Sequence, residues 1–221
     1  MRSKGKFALA GCFCVLTVIL IVLLLRVDVA PIGPVNTSVG LSHLNGAVHD
    51  MTGVNWTWYK ITGVLGMSEL AVVAAFVLVG LWQLIRRRSL AKVDREIFAL
   101  GGLYVVVGAL YVLFDKVAVN YRPVLMAGET FPESSFPSSH TLLVCTVLGS
   151  AIMVMGRFVK NDDLRKILRV ACGIVIVVTV AGRLISGVHW LTDIIGGILI
   201  SIALLAQFSG VLDILRDKQR Q

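Results

Sequence analysis

Long apolar runs separated by short polar stretches make up most of the chain. A helix needs about 20 residues to cross roughly 30 Å of hydrocarbon. Six runs come close to that length, at residues 7–25, 62–85, 97–115, 139–156, 167–185 and 191–212. The pattern therefore predicts an all-α integral membrane protein with six transmembrane helices, organised as a single membrane domain over residues 1–221.

The first apolar run has two interpretations, because it follows the basic sequence MRSKGK. A cleaved signal peptide has a shorter apolar stretch, of about 7–15 residues, followed by small residues at the cleavage site. Here the run is longer, and Asp28 fits poorly into a cleavage site before Pro31. We expect an uncleaved helix; cleavage would leave the rest of the topology unchanged.

Composition agrees with a membrane protein. Hydrophobic residues make up 57% of the chain and charged residues 15%, whereas soluble domains carry about 25% charged residues. The four cysteines lie in apolar runs without ligand-like spacing, and we interpret them as packing residues. They are Cys12, Cys14, Cys145 and Cys172.

The basic residues are distributed unequally between the two sets of loops. One side carries 16 Lys and Arg residues, in segments 1–6, 86–96, 157–169 and 213–221. The other side carries 5, namely Arg26, Lys60, Lys116, Arg122 and Arg183. Because cytoplasmic loops are enriched in Lys and Arg, we expect both termini in the cytoplasm. This topology explains the net charge of +8, and we expect no nucleic-acid partner.

Residues 26–60 form the longest predicted external segment. Its His43 and His49 are interpreted as solvated loop histidines rather than catalytic groups. A lid over the site or a lipid gate is one interpretation of the segment, although its residues do not require either. An interfacial aromatic belt is expected at Trp56, Trp58 and Tyr59.

Three ionisable residues interrupt the apolar tract from about Val170 to Val211: Arg183, His189 and Asp193. A charge at the bilayer centre costs about 2.5–3.5 kcal/mol, so these residues require a reason. On a helix, residues four apart share a face, and a carboxylate there leaves the second imidazole nitrogen basic. The guanidinium of Arg183 is a fixed positive fork of N–H donors, which is suited to binding a phosphate. The alternative is a helix-end ion pair with Arg183 extending to the membrane surface.

A second polar cluster precedes the fourth span, where residues 137–140 read Pro-Ser-Ser-His. Proline and serine favour a helix start, and the free N–H groups of a helix N-terminus attract anions. His140 would lie in the first turn, positioned to donate a proton. The alternative is an ordinary capped helix with an interfacial histidine.

At this point the chain resembles the type 2 phosphatidic acid phosphatase superfamily, membrane lipid phosphatases related to vanadium haloperoxidases. That family has the blocks Lys-x6-Arg-Pro, Pro-Ser-Gly-His and Ser-Arg-x5-His-x3-Asp. Here residues 137–140 match the second block with serine for glycine, and residues 182–193 match the third with glycine for serine. The resemblance covers about residues 110–200, and the six-span layout is also similar.

The first block departs from the family pattern. Arg122 and Pro123 match, but Lys116 lies six positions before Arg122, where the family has seven, and Asp115 occupies the family's lysine position. One residue turns a helix by about 100°. Lys116 therefore reaches a phosphate only if the helix is locally rewound, and an inward Asp115 would repel an anionic substrate.

The resemblance implies a role for each matching residue. His189 would attack phosphorus and form a phosphohistidine, Asp193 would orient the ring, and His140 would protonate the leaving oxygen. The resemblance implies no metal and no cofactor. The phosphate oxygens would be held by Arg122, Arg183, Ser138, Ser139 and Lys116.

We therefore expect an extracytoplasmic lipid phosphate or diphosphate phosphatase, in a bacterial cytoplasmic membrane. Expected substrates are undecaprenyl diphosphate, phosphatidylglycerol phosphate or phosphatidic acid. Two alternatives stay open: a lipid-phosphate transporter or binding protein without turnover, and a lipid phosphotransferase. Gly196 and Gly197 permit close helix approach within one chain; the oligomeric state does not follow from the sequence.

Overall fold

A computed structural model of the protein describes residues 2–220, and the surroundings of side chains 3–218. Within that range seven α-helices account for most of the chain, and two isolated antiparallel bridges occur in place of strands. The helices are α1 (Arg2–Arg26), α2 (Ser42–Thr52), α3 (Trp56–Arg87), α4 (Arg95–Lys116), α5 (Ser139–Phe158), α6 (Asp162–Ile185) and α7 (Leu191–Arg220).

All of these helices except α2 are long and apolar enough to cross a membrane, which makes six candidate spans. The predicted all-α, six-span fold is confirmed. The helices nevertheless extend beyond the predicted runs, because polar caps fix their ends. Asn55 accepts a hydrogen bond from the N–H of Trp58 at the start of α3, and Asn161 accepts one from Leu164 at the start of α6. Each asparagine satisfies an N–H group that the first turn leaves free.

The short helix α2 was not predicted. It lies in the segment 27–55 that connects α1 to α3, which is slightly shorter than the expected 26–60 because α3 already begins at Trp56. A helix of 11 residues is marginal in isolation, since isolated helices shorter than about 12–15 residues gain too little from propagation. Contacts with α7 therefore stabilise it.

Helix α5 lies at the centre of the bundle, where it packs against α3, α6 and α7, and α1 packs along α7. The main apolar cluster joins α4, α5 and α7. Its buried members are Leu100, Leu103, Val107, Leu142, Val154, Ile200, Leu204, Phe208 and Leu212. The outer surfaces of α1, α3, α4 and α6 expose large apolar side chains, as expected of helices in contact with lipid.

Consecutive spanning helices alternate in direction, so the ends of α1, α4 and α6 meet the starts of α3, α5 and α7 on one side. We call this side, together with α2 and the loop 117–138, the site face. On the opposite side, Asp94 links the end of α3 to the end of α5. Its Oδ1 lies 3.0 Å from Nη1 of Arg87 and 3.3 Å from Nη2 of Arg157.

Candidate active site

The turn between α6 and α7 carries His189. Helix α6 ends at Ile185, and Gly187 adopts a positive φ of 65° before the chain reaches His189. A Cβ at Gly187 would lie 1.8 Å from the carbonyl oxygen of Gly53. Glycine is therefore required here both by the left-handed backbone and by the close approach of the segment 27–55.

His189 and Asp193 form a buried pair. Nδ1 of His189 lies 3.6 Å from Oδ2 of Asp193, and the two side chains are 2% and 0% exposed. The sequence spacing suggested one helical face, but α7 begins only at Leu191, so His189 precedes the helix. The carboxylate reaches back because Oδ2 also accepts a 2.9 Å hydrogen bond from the N–H of Trp190, as in a capping box.

At 3.6 Å the contact of His189 Nδ1 with Asp193 is longer than a hydrogen bond, so it orients the ring without occupying either nitrogen. Nε2 of His189 has no hydrogen-bond partner among the described residues. Burial lowers the pKa of the His189 imidazole, because desolvation disfavours its charged form. The ring is therefore neutral at physiological pH, and Nε2 keeps a free lone pair whenever Nδ1 carries the proton.

The loop 117–138 brings Arg122 beside this turn. The N–H of Arg122 donates to the carbonyl of Glu133 at 3.0 Å, which pairs the two sides of the loop. Nε1 of Trp190 donates to the carbonyl of Tyr121 at 2.7 Å. This second bond ties the loop to the residue that follows His189, and it fixes the position of the neighbouring arginine.

Arg122 and His189 line one cavity, which we call the polar cavity; its charged and hydroxyl-bearing walls also include Asp115, Glu133, Ser135 and Ser139. Nε of Arg122 lies 2.9 Å from Oε2 of Glu133, an ion pair without hydrogen-bond alignment. Nη1 of Arg122 is buried with no partner in the part of the chain that the structure describes. Glu133 thus engages one edge of the guanidinium and leaves a terminal nitrogen for an anion.

The start of α5 joins α7. Ser138 is the N-cap residue; its N–H donates to the carbonyl of Asp193 at 3.0 Å, and its hydroxyl accepts from Thr141 at 3.1 Å. Ser138 is fully buried and does not line the polar cavity. A Cβ at Gly197 would lie 3.1 Å from the carbonyl oxygen of Ser138. The expected close approach of helices within one chain is therefore present.

His140 lines a neighbouring cavity, the lateral cavity, between α3, α4 and α5, with Glu69, Ser139 and several apolar side chains. Ser139 and Tyr111 line both cavities, so the two adjoin there. His189 lines the polar cavity and His140 the lateral cavity. The two histidines therefore lie in adjoining cavities that Ser139 and Tyr111 both line.

Arg183 is buried, with 1% of its surface exposed. Its guanidinium carbon lies 4.9 Å from the centroid of the Tyr59 ring, a cation–π contact. Nε and Nη1 have no hydrogen-bond partner within the described residues. Arg183 lines neither cavity, but it interacts electrostatically with both histidines.

Lys116 lies away from the polar cavity. Its side chain is 76% exposed, and Nζ lies 3.1 Å from Oδ2 of Asp115. Asp115, not Lys116, is the residue of the pair that lines the cavity. The one-position offset therefore has the consequence expected from helix rotation, and no local rewinding of α4 brings Lys116 inward.

The four cysteines are free thiols. Over the described residues, no group of three or more His, Cys, Asp or Glu side chains is placed to hold a metal ion.

Three contacts of the site were not predicted, because they involve residues outside the recognised blocks. Glu133 pairs with Arg122, Tyr59 stacks on Arg183, and Glu69 faces His140 across the lateral cavity. Only Glu69 had a sequence signal: it is the single acidic residue of α3. The other two are ordinary loop and interfacial residue types.

The model of the PAP2 superfamily matches residues 97–213, more than half of the chain, and the chain belongs to this superfamily. A search of curated protein sequences returns no significant match. The fold is similar to the crystal structure of a transmembrane PAP2-type phosphatidylglycerolphosphate phosphatase from Bacillus subtilis. The TM-score is 0.57 at 16% identity, over 96% of this chain and 98% of that one. The chain is thus a multi-pass membrane protein of a phosphatase family.

Proposed function

We propose that the protein hydrolyses a phosphate or diphosphate ester of a lipid through a phosphohistidine at His189. The observation that carries the proposal is the buried His189–Asp193 pair at the wall of the polar cavity. A neutral imidazole with one nitrogen oriented by a carboxylate leaves the other nitrogen free to attack. Arg122 in the same cavity supports an anionic substrate.

In the first step, Nε2 of His189 attacks phosphorus, and the bond from phosphorus to the lipid oxygen breaks. The positive charge that develops on the ring is stabilised by Asp193. His140 gives its proton to the leaving oxygen. In the second step, neutral His140 takes a proton from water, and the hydroxide displaces phosphate from His189.

The phosphate oxygens need donors that keep their positions while charge builds up. The unpaired terminal nitrogen of Arg122 and the first backbone N–H groups of α5, beginning at Ser139, meet this requirement. Arg183 contributes its charge from behind the cavity walls. Ser138 acts by holding α5 against α7, since its N–H is already bonded to Asp193. We assign no phosphate contact to Lys116.

We further infer that the site face is extracytoplasmic and that both termini are cytoplasmic, in a bacterial membrane. The excess of Lys and Arg on the opposite side supports this orientation. Substrates would be lipids with a headgroup in the outer leaflet: phosphatidylglycerol phosphate, as in the name of the Bacillus protein, phosphatidic acid or undecaprenyl diphosphate. The apolar walls of the lateral cavity suit the lipid end of such molecules.

The test is phosphate release by the purified protein in detergent from these three lipids, with EDTA present throughout. His189→Ala and His140→Ala run beside the wild type, and His43→Ala, at a side chain that is 93% exposed, is the matched control. We expect release by wild type and His43→Ala and loss in both site variants. Acid-labile and alkali-stable phosphate trapped on wild type but not on His189→Ala would identify the intermediate.

Other outcomes separate the alternatives. Tight binding of a lipid phosphate without turnover, in wild type and in His189→Ala alike, would favour a transporter or binding protein. A phosphotransferase would have the same site residues, so only its product distinguishes it. Transfer of phosphate to a second lipid in place of water would identify that activity.

A further inference from the structure

Glu69 is the single acidic residue in α3, near the middle of that apolar helix. Its surface is only 6% exposed, and Oε1 has no hydrogen-bond partner among the described residues. An ionisable residue at the centre of a span costs about 2.5–3.5 kcal/mol on insertion scales, and in membrane proteins such residues usually serve function. The reaction outlined above does not use it.

Glu69 and His140 share the lateral cavity. Gly66, one turn before Glu69, leaves the space between them open: a Cβ there would lie 3.5 Å from Nε2 of His140 and 3.8 Å from Oε1 of Glu69. It would lie 3.1 Å from Cδ2 of His140. The imidazole therefore rests against α3 at Gly66, on the helix face that also carries Glu69, and the carboxyl group reaches the same cavity without a hydrogen bond to the ring.

We propose that Glu69 is a positioning residue for His140, orienting its ring and stabilising its protonated form. The inference rests on the proposed function, in which His140 is the general acid. Helix α5 carries no acidic residue of its own, and Glu69 of α3 is the acidic side chain among those that line the lateral cavity. A nearby negative charge favours the imidazolium, and the acid must hold its proton until the lipid oxygen leaves.

The proton balance is simple. The proton passes from His140 to the lipid oxygen as the bond to phosphorus breaks, and Glu69 keeps its own protonation state. Glu69 also interacts electrostatically with Arg183. If it acted through Arg183, its removal would change phosphate binding rather than protonation of the leaving group, and these two effects can be measured separately.

The experiment compares Glu69→Gln with Glu96→Gln, an identical change at a carboxyl group that is 7% exposed at the start of α4, on the opposite side from the site face. The substrates are phosphatidic acid, whose leaving alcohol needs a proton, and p-nitrophenyl phosphate, whose leaving group does not. We expect Glu69→Gln to lower kcat/KM for phosphatidic acid by about 100-fold or more. For p-nitrophenyl phosphate the fall should stay within about 3-fold, and Glu96→Gln should change neither value. The inhibition constant of inorganic phosphate should be unchanged in both variants.

An equal fall for both substrates, or weaker inhibition by phosphate, would overturn the proposal in favour of a role through Arg183. Unchanged rates in Glu69→Gln would overturn it as well. Gly66→Ala gives a second variant, since its methyl group displaces the His140 ring; it should show the same selective loss with phosphatidic acid.

A readout without turnover separates this inference from the proposed function. In protein labelled with ¹⁵N-histidine, the ring resonances of His140, assigned with a His140→Gln variant, should move in Glu69→Gln and stay in place in Glu96→Gln. If wild type hydrolyses neither substrate, the proposed function fails, and these resonances alone decide whether Glu69 acts on His140. Unmoved resonances in Glu69→Gln would refute the coupling.

Discussion

Asn45 and Thr192, which are 147 residues apart in the chain, are joined by two hydrogen bonds. Nδ2 of Asn45 donates to the hydroxyl of Thr192 at 3.0 Å, and its Oδ1 accepts from the N–H of Thr192 at 3.2 Å. Thr192 is in the first turn of α7, directly before Asp193. One side chain of α2 thus caps the helix that carries the partner of His189.

Replacing this cap should reduce both stability and activity. In Asn45→Ala the buried N–H of Thr192 loses its acceptor, which costs about 1–3 kcal/mol. We expect a lower unfolding temperature in detergent and a fall of roughly 10-fold in kcat/KM, because α7 no longer fixes the turn at His189. Asn161→Ala removes a cap on the opposite side, so it should cost about 1 kcal/mol and leave kcat/KM unchanged. Equal kinetic effects of the two variants would contradict a link between α2 and the site.

Gly187 gives a second test of the contact between the segment 27–55 and the site. Gly187→Ala should be strongly destabilised, because the new methyl group would lie 1.8 Å from the carbonyl oxygen of Gly53. Gly128→Ala is the matched control: its φ of 89° is also positive, but nothing lies within 4 Å of the added Cβ. Both variants incur about 1–2 kcal/mol for the left-handed backbone. Thermal unfolding should show at least about 2 kcal/mol more destabilisation for Gly187→Ala; similar losses would mean that the two segments separate easily.

The two cations of the first block should differ in importance. Arg122→Ala should lower kcat/KM by about 100-fold or more, because it removes a preorganised donor from the polar cavity. Lys116→Ala should remain within about 2-fold, since Lys116 is exposed, does not line the polar cavity and makes only a surface ion pair with Asp115. Steady-state kinetics with one lipid substrate are sufficient. A large loss in Lys116→Ala would show that Lys116 turns inward when substrate binds.

Burial of His189 predicts a pH effect on stability. Its pKa is lowered in the folded protein from an ordinary value near 6.5, so below that pH the unfolded chain binds a proton that the folded chain does not. Stability should therefore fall as pH decreases below 6.5 toward the folded pKa, by up to about 1.4 kcal/mol per pH unit.

The measurement is thermal unfolding between pH 5 and 8 for wild type and His189→Gln. In His189→Gln, stability should fall less at acid pH than it does in wild type. Burial also lowers the pKa of His49, whose ring packs at a tilt against Trp190. His49 therefore also contributes to the loss of stability at acid pH. The variant His49→Gln measures that contribution separately. An unchanged pH dependence of stability in His189→Gln would mean that folding does not lower the pKa of His189.

The spanning helices were predictable because hydropathy alone determines which segments enter the bilayer. Their ends were less so, since Asn55 and Asn161 extend α3 and α6 by capping, which an average over apolar residues ignores. Helix α2 could not be predicted, because its stabilising partner Thr192 is remote in sequence. No local pattern marks such a contact.

For the site, spacing indicated that His189 and Asp193 would be close, although the contact is made by a capping carboxylate rather than along one helical face. The offset of Lys116 was visible, but only the structure shows that Asp115 faces the polar cavity. Hydropathy does not single out Glu69, because one carboxyl group hardly changes the mean value of a helix of 32 residues.

The packing of α1 along α7 bears on how the protein is made. Among the described helices, α1 enters the membrane first, and the helix that covers it is synthesised after all the others. Until α7 arrives, one flank of α1 faces lipid, α2 has no anchor and His189 has no carboxylate. The docking of α7 on α1 and α2 and the completion of the His189–Asp193 pair therefore coincide, and a nascent chain that stops short of α7 is expected to be inert.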